Sequence, residues 1–208
     1  MISQRGKIDV VIPVHNQYEI TVDCIASVLK TVDRSFVEIV VINDMSTDDR
    51  IADHLRHLAV SSAITLIEQE TNFGFTRTVN RGMALHPDRD VILLNTDTIV
   101  YGDWIERLRC AAYSDPRIAT VNPLTNPDGT HIAFYPATPG DVTLEIDPAE
   151  LDAMTRECNR QRRILAHTTV GFCMYIKRAC LDDIGLFDVK HFPRAYGEES
   201  DFCYRAGY

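Results

Sequence analysis

The residues best equipped for chemistry are Asn95-Thr96-Asp97-Thr98, which follow the apolar run Val91-Ile92-Leu93-Leu94 without a break. A buried strand that stops in Asn-x-Asp delivers an amide and a carboxylate to the mouth of a sheet, where open α/β folds keep their ligands. Oxygen donors of that kind suit a hard cation such as Mg2+ or Mn2+, the natural partner of a diphosphate. The plainer reading of Asp97 is a turn former or helix N-cap, because a short carboxylate bonds backbone N–H groups two or three residues on. Two further acidic features favour the chemical reading. One is a second strand end, Val40-Val41-Ile42-Asn43-Asp44, and the other is the distant cluster Gly197-Glu198-Glu199-Ser200-Asp201.

Asp44 has two readings that are compatible with each other. An ionised, acceptor-only side chain at a strand edge can receive a nucleobase N–H, while Ser46 or Asp48 caps the helix that follows. Thr71-Asn72-Phe73-Gly74-Phe75-Thr76-Arg77 is a glycine-bearing loop running into a helix. There Gly74 lets backbone approach a ligand, and the helix N–H groups with Arg77 can receive a phosphate; a purely structural loop is the alternative. The acids from Glu198 to Asp201 begin another helix, which they stabilise through its dipole. Three carboxylates in four positions also repel one another, which raises a pKa and creates a usable base.

The elements that position these groups follow from hydrophobic period. Apolar runs at 8–14, 36–42, 64–67, 91–94 and 118–121 alternate with amphipathic stretches such as Ile20, Cys24, Ile25, Val28 and Leu29, the signature of a mostly parallel sheet with helices on both faces. Residues 122–148 are rich in Pro, Gly, Thr and Asp and read as loop. Pro148 opens a helix predicted to reach about 165, with Arg160, Arg162 and Arg163 at its basic end. A strand over 168–176 and a short helix over 178–184, stopped by Gly185, complete the pattern.

Composition narrows the partners. With 208 residues and 45% hydrophobic content, the chain can bury one substantial core. Its formal charge of -9 argues against nucleic acid or an anionic membrane as a general electrostatic partner. No stretch approaches the roughly 20 apolar residues that span a bilayer, and the N-terminus lacks a signal-peptide core, so a cytoplasmic location is expected. The six cysteines (Cys24, Cys110, Cys158, Cys173, Cys180 and Cys203) show no zinc spacing and read as buried thiols.

The pieces occur in one order: Pro13 to Asn16, Asn43-Asp44 to Asp48, Asn72 to Gly82, Leu93 to Thr98, Gly171 to Arg178, Ile184 to Asp188, and Gly197 to Asp201. In that order the chain resembles the family-2 glycosyltransferases, inverting enzymes of the Rossmann-like GT-A fold that use nucleotide-diphospho-sugars. The resemblance implies a single α/β domain whose mostly parallel, mixed sheet is flanked by helices. Its nucleotide-sugar half would be about 1–121 and its acceptor half about 122–208. It implies that Asp44 binds the base beside Pro13, that Asn72, Gly74, Arg77 and Asn95 serve the nucleotide, and that Asp97 contacts Mn2+ or Mg2+. Glu199 falls at the position of the catalytic base, with Glu198 and Asp201 as supporting acids able to share the task.

Asn95 stands where the full pattern has an acid, and Glu199 where Asp is frequent. The implied donor is linked to UDP first, with dTDP and GDP as alternatives. The implied acceptor is a saccharide or a lipid-linked saccharide in cell-surface polysaccharide or lipopolysaccharide assembly, with peripheral association at the inner face of the membrane. Many such enzymes continue through a further strand and supply a histidine to the metal. No histidine follows His191 here, so a truncated catalytic domain is expected. Two rivals are a sugar nucleotidyltransferase, which should carry a basic Gly-rich loop where Pro13-Val14-His15-Asn16-Gln17 stands, and a sugar-nucleotide-binding module without turnover.

Overall fold

Alternation within the apolar runs decides which core each side chain enters. In the computed structural model, which describes residues 6–125, 146–160 and 162–207, strand β1 (Ile8–Val14) sends Ile8, Val10, Ile12 and Val14 to one face and Val11 to the other. Strand β4 (Asp90–Leu94) divides in the same way, with Ile92 and Leu94 against Val91 and Leu93. Both faces are therefore apolar and both need cover. Helices α1 (Tyr18–Thr31), α2 (Asp49–Val60) and α4 (Trp104–Ala112) cover the first. Helices α3 (Phe75–Met83), α6 (Arg178–Ile184) and α7 (Glu198–Ala206) cover the second. Helix α3 lies close to the sheet because Gly82 has no side chain: a Cβ there would stand 2.4 Å from Val11 Cγ1.

The remaining strands are β2 (Val37–Asn43), β3 (Thr65–Glu68), β5 (Thr120–Val121) and β6 (Cys173–Ile176), and the sheet order is β3-β2-β1-β4-β6-β5. The first four strands are mutually parallel; β6 runs antiparallel to β4 and β5. Two consequences matter for a site. The chain winds outward from β1 to β3 and then returns to the other side of β1 with β4, so the crevice between the carboxyl ends of β1 and β4 is a topological switch point. The reversed β6 brings its amino end, preceded by Gly171 and Phe172, up to the carboxyl end of β4 through the pair Leu94↔Cys173.

The mixed α/β sheet flanked by helices is as expected, with three local differences. The helix opened by Pro148, α5 (Pro148–Cys158), has Asp147 as its N-cap and ends at Cys158, well short of 165. It buries no residue, and helices are sustained mainly by packing, so nothing rewards extension; Arg160, Arg162 and Arg163 sit beyond its end. The last strand is confined to Cys173–Ile176, and the fifth narrows to Thr120–Val121. Of the loop expected over 122–148, residues 126–145 lie outside the described residues. Cys110 and Cys158 are exposed rather than buried, whereas burial pushes the Cys24 thiol up to about 12.

Candidate functional site

The crevice at the switch point is opened by where strand pairing stops. Pairing of β1 with β4 ends at Val11↔Leu93, while pairing with β2 continues to Val14↔Asn43. Pro13, which has no N–H to give a ladder, lies in the stretch where the two strands have parted. Asn95 donates its N–H to the Phe172 carbonyl at 2.8 Å, and the turn after it closes through Thr98 N–H to the Asn95 carbonyl at 3.3 Å. The turn is thus carried by backbone, which leaves the side chains of Asn95 and Asp97 without a hydrogen bond or ion pair to any described residue. Asp97 is exposed. A free carboxylate beside a free amide at a strand mouth fits a hard cation that takes its other oxygens from a diphosphate and water.

Asp44 occupies a different kind of place. It is buried, and both carboxylate oxygens are engaged: Oδ1 accepts from Gln69 Nε2 and the Phe73 N–H, each at 2.8 Å, and Oδ2 accepts from the Gly74 N–H at 2.9 Å. Helix capping falls to Asp48, which accepts the Arg50 N–H at 3.1 Å. The Gly74 N–H therefore meets both Asp44 and Asn72 Oδ1, with Asp44 as the clamp of the loop. The N–H groups expected to receive a phosphate are largely committed, since Phe73 and Gly74 donate to Asp44, and Thr76 donates to the Arg194 carbonyl at 3.3 Å. Gly74 has φ of 78°, and a Cβ there would meet Arg194 Cα at 3.1 Å. Its freedom thus serves an approach of two backbones. Arg77 projects from the first turn of α3, exposed and unpaired among the described residues.

The same mouth is laced together by polar side chains from the turn after β1. His15 Nδ1 lies 2.9 Å from the Asp44 carbonyl, which fixes a proton on that nitrogen, and Asn72 Nδ2 lies 3.2 Å from the same ring. Asn16 Oδ1 accepts from the Thr47 N–H at 2.8 Å. Neither His15 nor Gln69 is singled out by sequence pattern; the signal available is a polar residue placed directly after an apolar strand.

The acidic cluster splits into three environments. Gly197 turns the chain with φ of 109°, its missing Cβ replaced by the Phe192 ring 2.6 Å away. The next residue, Glu198, is only 1% exposed and its Oε2 has no hydrogen-bond partner. Burial first, then the charge of Glu199, pushes its carboxyl up to about 7. Glu199 Oε1 accepts the Gly171 N–H at 3.2 Å, an approach possible because a Cβ on Gly171 would lie 2.5 Å from that oxygen. Asp201 bonds Arg205 Nε at 2.8 Å, and the same guanidinium donates to the Ile184 and Leu186 carbonyls. Asp201 is thus a brace for α7. Since Phe172 bonds Asn95 and Gly171 bonds Glu199, the acid-bearing helix and the Asn-x-Asp turn meet across two consecutive residues.

A second group of metal-type ligands lies at the opposite end of the sheet. Asp9, Glu38 and His86 converge, with His86 Nδ1 2.8 Å from Asp9. Arg89 already bridges the two acids, at 2.8 Å to Asp9 and 2.5 Å to Glu38. Asp9 and Glu38 each lie second in their strands, β1 and β2, so this group is far from the strand mouths that carry Asp44 and Asp97. A guanidinium at its centre does the work a cation would do, and the cluster reads as a half-buried ionic brace.

The sequence model of the family described as glycosyl transferase family 2 matches residues 9–185. No match is found among curated proteins. Among solved structures, the chain is similar to the mannosyltransferase PcManGT from Pyrobaculum calidifontis in complex with GDP-Man and Mn2+, with a TM-score of 0.66 and 16% identity over 96% of this chain and 51% of that one. It is also similar to GalNAc-T7 with UDP, GalNAc and Mn2+, at 0.71 and 18% over 98% and 41%. TarS 1-349 of S. aureus gives 0.64 and 17% over 96% and 55%. These likenesses establish the GT-A fold. The chain spans about half the length of the structures it matches.

Proposed function

The chain belongs to the glycosyl transferase family 2, and on that premise we propose that it moves a sugar from a nucleotide-diphospho-sugar to a hydroxyl acceptor with inversion at the anomeric carbon. The observation that carries this reading is the meeting of Asn95 and Glu199 across Phe172 and Gly171 at the switch point. In our reading Asp97, two residues on from Asn95, is the carboxylate of the diphosphate side and Glu199 that of the acceptor side.

Glu199 takes the proton of the acceptor hydroxyl as its oxygen bonds to the anomeric carbon, and the bond from that carbon to the diphosphate breaks with its electron pair leaving on the nucleotide. When bound by Asp97, with Asn95 beside it, Mn2+ or Mg2+ would offset the charge gathering on the leaving diphosphate. Asp44 acts through the loop it clamps, so that Pro13 and the segment from Asn72 to Gly74 form the wall for the base. Arg77, exposed at the start of α3, is available to a phosphate.

PcManGT was solved with GDP-Man and GalNAc-T7 with UDP; for this chain we put UDP first, with dTDP and GDP as alternatives. Among the described residues no helix is long and apolar enough to cross a membrane. We propose a saccharide or lipid-linked acceptor that enters over residues 178–197, in cell-surface polysaccharide assembly at the cytoplasmic face of the membrane.

Titration calorimetry with UDP-, dTDP- and GDP-sugars, with and without Mn2+, tests the donor half of this proposal. The parent should bind one of them in a Mn2+-dependent way, and Asp97→Asn should lose that dependence while unfolding at the same temperature. Equal Mn2+-dependent affinity in both removes Asp97 from the metal site. Binding without any transfer or donor hydrolysis leaves the alternative of a sugar-nucleotide-binding module.

A further inference from the structure

We propose that Glu198 and Glu199 form a carboxyl–carboxylate pair that holds one proton between them, with the buried Glu198 donating and Glu199 accepting. Glu198 is then a positioning residue, acting on the reaction through Glu199. Its catalytic meaning rests on Glu199 being the proton acceptor in transfer; the pair itself is a property of the resting protein.

Three features of the turn at the start of α7 carry the inference. The positive φ of Gly197, wedged by Phe192, swings the Glu198 side chain inward, where it is 1% exposed. No described side chain or backbone group offers its Oε2 a hydrogen bond. A carboxylate so placed would be a buried charge held by no donor beyond its own backbone N–H, with Oε2 bare, a costly arrangement in a fold; a protonated carboxyl removes the charge and needs only an acceptor. Glu199 supplies it, for its side chain both hydrogen-bonds Glu198 and acts on it by charge.

Glu199 is in turn held from the other side, where the Gly171 N–H meets Oε1 at 3.2 Å and the absent Cβ of Gly171 leaves room for the carboxylate. The Glu198 proton and the Gly171 N–H thus grip one carboxylate. Of the other charged groups around the turn, Asp201 bonds Arg205 on α7 and Asp188 bonds His191 in the loop before it, while Asp183 on α6 is exposed. Two carboxyls coupled as Glu198 and Glu199 are titrate as a unit. Its charge of one rather than two keeps a base beside a site for a diphosphate without a second carboxylate opposing that ligand.

The test is a pH titration of the protein without donor or acceptor, labelled with 13C at the glutamate Cδ, followed by NMR from pH 4 to 9 in parent, Glu198→Gln and Glu199→Gln. Two coupled glutamate signals should share a step near neutrality in the parent. That step should move to lower pH in the remaining Glu198 signal of Glu199→Gln and vanish from the remaining Glu199 signal of Glu198→Gln. Should Glu198→Gln not fold, parent and Glu199→Gln decide alone. The pair is overturned if no glutamate in the parent titrates near neutrality, or if the step stays in place in Glu199→Gln. Because no substrate is present, an inactive enzyme leaves this result untouched. Loss of the pair and failure of the transferase reading are thereby separate outcomes.

Discussion

Replacing Asp44 by alanine separates a loop clamp from a ligand group. The substitution removes an acceptor from three donors, Gln69 Nε2, Phe73 N–H and Gly74 N–H, at 2.8, 2.8 and 2.9 Å. Hydrogen bonds to a charged group contribute about 1.5–3 kcal/mol each, and a buried donor left without a partner costs about 1–3 kcal/mol. The three donors do not lose equally. Phe73 is 42% exposed and Gly74 half-buried, so water replaces the carboxylate there and each loses about 0.5–1 kcal/mol. Gln69 is buried and keeps only its bond to Thr78 Oγ1 at 2.8 Å, so most of the penalty falls on it. The sum is about 2–5 kcal/mol of stability. With a urea m-value near 2 kcal/mol/M, the midpoint should fall by about 1–2.5 M. Amide exchange at Phe73 and Gly74 should accelerate at the same time. A loss below about 0.5 kcal/mol with unchanged exchange at those two amides refutes the clamp; if nucleotide affinity collapses in that same variant, the carboxylate is a ligand group instead.

Glu198→Gln should change how stability depends on pH. The parent's folded state binds the Glu198 proton more tightly than the unfolded chain, about 7 against 4.5, so parent stability falls as pH rises through that window, by about 2–4 kcal/mol in all. The variant should lack this fall, and thermal unfolding at pH 4.5 and pH 8 checks the difference. Gly171→Ala pushes its Cβ to 2.5 Å from Glu199 Oε1; the flexible carboxylate should move aside, leaving the melting temperature nearly intact and lowering transfer by about 10- to 100-fold. Gly82→Ala gains about 1 kcal/mol of helix propensity but forces a methyl to 2.4 Å from Val11 Cγ1, an overpacking that costs about 1–3 kcal/mol. A net loss should appear in urea denaturation, and a gain would show that α3 can lift off the sheet.

The fold was legible where one physical signal dominated. Unbroken apolar runs at 39–42 and 91–94 announce strands buried on both faces, and Pro148 and Gly185 mark an entry and an exit by backbone chemistry alone. Helix α4 could have been announced as well, since Trp104, Ile105, Leu108 and Ala112 recur at helical spacing. The far end of α5 misled because basic residues past Cys158 suit a helix terminus, yet no packing extends the helix to them. For the site, type and order of residues located Asp97, Asp44 and Glu199 at strand and helix ends. They could not say which carboxylates were already occupied. Asp44 and Asp201 are filled by Gln69, Phe73, Gly74 and Arg205, groups whose approach depends on tertiary contacts that no local pattern encodes. The bare Oε2 of Glu198 arises from the burial of a turn, which is equally invisible along the chain.

The antiparallel strand β6 also sets the order in which the protein can assemble. Pairs such as Ile8↔Val37 and Val40↔Thr65 join segments close in the chain, whereas Leu94↔Cys173 and Val91↔Ile176 wait for a long stretch to be synthesised and closed. Closure entropy and contact order both place such pairings late. Until β6 arrives, β4 is an open edge, a template for pairing with other chains. A nascent or clipped chain that stops before Cys173 would leave Ile92 and Leu94 facing no partner where Tyr175 and Cys173 belong, and would lose solubility in the same stroke as the crevice.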